Sequence, residues 1–74
     1  MAIGTEIEHL IKMANQIAEN FAFAGGEESQ VAAIVDHLTR FWAPPMKQHL
    51  LEYVEQGGEG VSQPVLSALA QIRQ

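Results

Sequence analysis

The chain has 74 residues, 47% of them apolar, with no cysteine and with nine acidic against four basic side chains for a formal charge of −5. Disulfide staples and thiolate metal sites are thereby excluded, and the acidic balance repels phosphate backbones, so nucleic acid and anionic membrane surfaces are not expected partners. No apolar run approaches the roughly 20 residues that span a bilayer, and no secretory leader pattern is present, so a cytoplasmic protein is expected.

Advancing by about 100° per residue, Ile7, Leu10, Ile11, Ala14, Ile17, Ala18 and Phe21 share one stripe, with Met13 and Ala24 at its edge. This predicts an amphipathic helix that starts at Thr5, where Thr5 and Glu8 make a capping-box pattern, and stops at Gly25 and Gly26. Glu8 stands four residues before Lys12, the spacing of a weak surface ion pair. If the helix runs to Ala24, Phe23 points away from the stripe, toward solvent or a partner.

Val31, Ile34, Val35, Leu38, Phe41 and Trp42 give a second helix by the same three-four spacing. Glu27 and Glu28 suit the positive end of its dipole, and Pro44 pushes Ala43 out of the helical region, so the helix ends near Trp42. A third helix follows with Pro45 in its first turn. Met46, Leu50, Tyr53 and Val54 share its face and Leu51 widens the arc, as suits an element touching two neighbours or a partner. Gly57, Gly58 and Gly60 close it. A last short helix begins at Pro64, with Ser62 or Gln63 as cap, and turns Val65, Leu66, Leu69 and Ile72 inward.

No repeat, linker or strand pattern interrupts this order. The reading is all-α: one helical domain spanning residues 1–74, a small bundle of three amphipathic helices plus a short C-terminal helix, stacked as hairpins with the fourth closing one end. A domain this small buries only about 60% of its unfolded surface, so its stability alone is thin and a partner is a natural supplement.

The chemistry for an enzyme is missing. His9, His37 and His49 come from three different helices, and no two stand three or four apart as a local metal motif requires. The carboxylate pairs Glu27 with Glu28 and Glu52 with Glu55 fit solvated helix surface better than a pocket that would split their pKa values. The glycine pairs precede no Lys-Ser/Thr phosphate loop, and no hydroxyl sits in a nucleophile elbow. Neither catalytic nor metal nor cofactor-binding residues are expected in this chain.

The unusual segment is AIVDHLTRFWAPPMKQHLL, residues 33–51. Phe41 and Trp42 can simply anchor the core at a helical corner, a role at least as natural for Phe41 as any other. Arg40 projects opposite the stripe of its helix and Lys47 lies near the corner. Arg and Trp are the residue types most often energetically central at protein interfaces.

Two blocks, Leu10 to Phe21 (LIKMANQIAENF) and Ile34 to Leu51 with its His, Arg-Phe-Trp, Pro and Met, resemble the delta subunit of NAD-dependent formate dehydrogenase, a family of short chains accompanying molybdenum- or tungsten-containing enzymes. The apolar pattern from Val61 to Ile72 is similar as well. Ala43 and Pro45 depart from the family, which often has an acidic or polar residue at the first and a basic one at the second.

The resemblance implies a non-catalytic accessory subunit that assembles or stabilises a formate dehydrogenase complex, docking on its large molybdopterin-containing subunit and carrying no cofactor itself. By matched positions it implies Asn15, Gln16, His37, Arg40, Trp42, Pro44 and Met46 as partner-binding residues. The alternative is a free-standing helical interaction module that pairs with itself, a homodimer when isolated.

Overall fold

The computed structural model describes the backbone of residues 2–22 and 25–73 and the side chains of residues 6–22 and 25–73. The described residues form four helices and no strand: α1 (Ala2–Asn20), α2 (Glu27–Phe41), α3 (Pro44–Glu55) and α4 (Gln63–Arg73). None is long and apolar enough to cross a membrane. Phe23 and Ala24, and with them the expected outward turn of Phe23, lie outside the described residues.

α1 differs at both ends from its sequence reading. It begins at Ala2, so Thr5 stands inside the helix and not at its cap. It ends at Asn20, before the glycines. There the Phe21 N–H is shared between the Ile17 and Ala18 carbonyls at 3.2 Å, and the Ala22 N–H reaches Glu19. Gln30 of α2 donates from Nε2 to the Ala18 carbonyl at 2.8 Å. A carbonyl of the last turn is thus tied to the neighbouring helix, which satisfies a group that helix ends otherwise leave open.

α2 starts after Gly26, whose carbonyl accepts the first helical hydrogen bond from Gln30 at 2.9 Å, with Glu27 and Glu28 in its first turn. Trp42 then leaves the helix in an extended conformation (φ −89°, ψ 131°). Ala43 is extended too (φ −64°, ψ 150°), as the residue before a proline must be. Pro44 and Pro45 open α3, where their missing N–H groups cost nothing.

α3 closes with paired hydrogen bonds, Gly58 N–H to Tyr53 carbonyl at 3.2 Å and Gly57 N–H to Val54 carbonyl at 3.1 Å. This Schellman arrangement needs positive φ, which Gly57 (135°) and Gly58 (67°) supply. The Tyr53 hydroxyl donates to the Glu59 carbonyl and holds the loop down.

The core runs through all four helices. Leu10, Ala14 and Ala18 of α1 meet Val31, Ile34 and Leu38 of α2, Leu50 of α3, and Val65, Ala68 and Leu69 of α4, with Trp42 and Val61 closing the ends. α4 is no lid: its broadest contact is with α2, and Val65, Ala68 and Leu69 are fully buried. α3 touches both α1 and α4, so two neighbours inside the chain engage its wide apolar arc.

Candidate functional site

Asn15 and Gln16 are adjacent in sequence, and about 100° of helical rotation sends them to opposite flanks of α1. Asn15 faces the α3–α4 loop. Its Nδ2 donates to the Gly60 carbonyl at 2.9 Å, and its Oδ1 accepts the Ser62 N–H at 3.0 Å. Both ends of one carboxamide thereby fasten α1 to the start of α4. The Ser62 carbonyl accepts the Leu66 N–H at 3.0 Å, so Ser62 occupies the cap position of α4, yet its buried Oγ has no hydrogen-bond partner.

Gln16 lies on the other flank, where an open groove of about 550 Å³ runs between α1 and the α2–α3 corner. α1 supplies one wall with His9, Lys12, Met13, Gln16 and Ile17, α2 supplies His37 and Phe41, and Trp42 just after α2 completes the corner with Met46 of α3. The His37 ring stacks at a tilt on Phe41, with centroids 4.8 Å apart. It also meets the edge of Phe21 at 6.1 Å. The imidazole thus lies between two aromatic rings.

The corner separates two aromatics that share the stripe of α2. Trp42, 5% exposed, is part of the core, whereas Phe41 is 70% exposed and is the one large apolar side chain so displayed among the described residues. Helical periodicity places both on the buried stripe. The backbone turns extended at Trp42, and only the indole is buried at the end of the helix while the Phe41 ring is left outside.

The electrostatics of the groove differ from those of the chain. The lining contains Lys12 and two histidines and no carboxylate, although the whole chain carries −5. Arg40 is engaged by Asp36 at 3.0 Å and Arg73 by Glu55 at 3.2 Å, both pairs solvent-exposed. Lys12 and Lys47 have no carboxylate within ion-pair distance among the described residues. The expected Glu8–Lys12 pair is therefore not formed, and the Lys12 ammonium remains available at the groove. A second, smaller hollow of about 240 Å³ on another face is lined by Glu27, Glu28, Val31, Ser67 and Gln71.

Of the seven residues implied as partner-binding, the structure brings Gln16, His37, Trp42 and Met46 together in the groove. Asn15 is engaged within the chain, Arg40 points outward in its pair with Asp36, and Pro44 is an exposed residue opening α3. Sequence reasoning did not group His9, Lys12, Met13, Ile17 and Phe41 with the site. The signal was available for Met13, which stands at the edge of the α1 stripe, on the side of the core that Gln16 also flanks. Among the described residues no three His, Asp or Glu side chains converge to hold a metal ion.

A family model described as the NADH-dependent formate dehydrogenase delta subunit FdsD matches residues 9–69, which includes every residue lining the groove and the Asn15 clamp. No curated protein and no solved structure matches the chain.

Proposed function

The chain belongs to the NADH-dependent formate dehydrogenase delta subunit family, and from that premise we propose that it is a non-catalytic accessory subunit that assembles or stabilises a molybdenum- or tungsten-dependent formate dehydrogenase. Its partner in this reading is the large molybdopterin-containing subunit, in the cytoplasm. In this reading the redox groups belong to the larger chains, and this chain has no cysteine to ligate an iron–sulfur cluster.

The observation that carries the docking reading is Phe41. An aromatic side chain 70% exposed at the rim of an open groove lined by Met13, Ile17, Trp42 and Met46 supports this reading, because apolar surface that is contiguous rather than scattered is what a partner covers. Burial of such a ring against a partner removes apolar area worth about 25 cal/mol per Å². It also supplements a fold whose own core is small.

The test is capture of the tagged chain from its host grown on formate, with mass spectrometry of the co-purifying proteins. Recovery of a molybdopterin-containing subunit in fixed proportion to the tagged chain is the expected result. Recovery of the chain alone, or only with a second copy of itself, refutes the accessory role.

A further inference from the structure

We infer that the groove between α1 and the α2–α3 corner takes an amphipathic helix of the partner subunit, apolar on the face that enters and carrying Asp or Glu on its flank. This rests on the accessory-subunit reading and adds to it the conformation and charge of what docks.

The conformation follows from the walls. The α1 residues along the groove, from His9 through Met13 and Gln16 to Ile17, recur at the spacing of one helix side over about 12 Å. That is the surface one helix presents to another. The α1 backbone already spends its N–H and C=O groups internally, and no strand edge exists among the described residues. An extended peptide lying here would bury its own backbone polar groups without partners, whereas a helix brings them satisfied. Met13 and Met46, one on each wall, are unbranched and adapt to the side chains of an incoming helix.

The charge follows from the lining. Lys12 stands at the groove with no internal ion pair, His9 and His37 flank it, and carboxylates are excluded from the lining even though the chain has nine of them. An acidic flank on the incoming helix meets this local patch favourably.

The experiment uses the tagged chain captured from its host with the formate dehydrogenase subunits. Phe41 is replaced by the photo-crosslinking analogue p-benzoylphenylalanine, and the crosslinked peptide is identified by mass spectrometry. The expected product is one peptide of a formate dehydrogenase subunit with apolar residues at three-four spacing and Asp or Glu beside them. Lys12→Glu and Met13→Glu each reduce capture by roughly tenfold or more, the loss typical of a central interface residue. Exchanging the carboxylate of the crosslinked peptide for Lys restores capture of the Lys12→Glu chain, and Glu28→Lys at the other hollow leaves capture unchanged. Lys12 is exposed, so its variant remains informative even where Met13→Glu fails to fold by circular dichroism.

A crosslink to a basic or non-helical segment or to a second copy, no crosslink at all, or full capture of the Lys12→Glu chain overturns the inference while leaving the accessory role standing. Failure of the unsubstituted chain to recover any formate dehydrogenase subunit overturns both.

Discussion

Replacing Asn15 with Ala removes both hydrogen bonds that fasten α1 to the α3–α4 loop, to the Gly60 carbonyl at 2.9 Å and from the Ser62 N–H at 3.0 Å. The first is solvent-exposed, so the Gly60 carbonyl rehydrates, and its loss costs about 0.5–1 kcal/mol, toward the low end for a neutral bond. The second is part-buried, and leaving its donor unsatisfied adds about 1–2 kcal/mol. Together the substitution removes about 1.5–3 kcal/mol from a domain whose margin is on the order of 3–5 kcal/mol. At about 4–8 °C per kcal/mol for a chain of this size, the melting midpoint followed by circular dichroism falls by about 6–24 °C. Asn15→Asp separates the halves. A carboxylate still accepts the Ser62 N–H and gains from the positive end of α4, but it cannot donate to Gly60, so its midpoint lies between those of Ala and Asn. An Ala variant melting within about 0.5 kcal/mol of the parent would refute the clamp.

Trp42→Ala removes a core indole and costs about 3–5 kcal/mol, so urea titration shows little or no cooperative transition, whereas Phe41→Ser changes stability by no more than about 0.5 kcal/mol because the ring is exposed; equal effects would contradict the corner geometry. Ser62→Ala leaves stability unchanged or raises it by up to about 1 kcal/mol, since a buried hydroxyl without a partner is removed. A functioning cap would instead lose about 0.5–2 kcal/mol, and a thermal melt decides the sign. Gly58→Ala forces a side chain into φ +67° with its Cβ 3.3 Å from Leu66 Cδ2, and denaturant unfolding shows a loss of about 1–2 kcal/mol.

The interior was largely legible because burial has a period. Leu10, Ala14, Ile34, Leu38, Leu50 and Leu69 were all placed inward by spacing alone, and all are buried. The features that position the groove depend on where a period stops, which the period does not encode. At the extended residue after Phe41, two aromatics that share the stripe part, Trp42 into the core and Phe41 to the surface. The capping-box pattern at Thr5 and Glu8 marked no boundary, because the same residues are tolerated inside a helix that begins at Ala2. Asn15 and Gln16 read as one motif along the chain, yet helical rotation gives one an architectural role and the other a place in the groove. The loop contacts of Asn15 with Gly60 and Ser62, 45 and 47 residues away, left no local signature.

Trp42 is the only tryptophan in the chain, and the fold stations it, nearly shielded from water, at the edge of the groove. The indole is therefore a built-in optical probe of that one locality. Its emission maximum and its accessibility to acrylamide sense the groove directly, while the distant ends of α1 and α4 contribute no signal from tryptophan. Occupancy of the groove by a tryptophan-free peptide can be titrated by intrinsic fluorescence without attaching a dye to a surface that a dye would disturb.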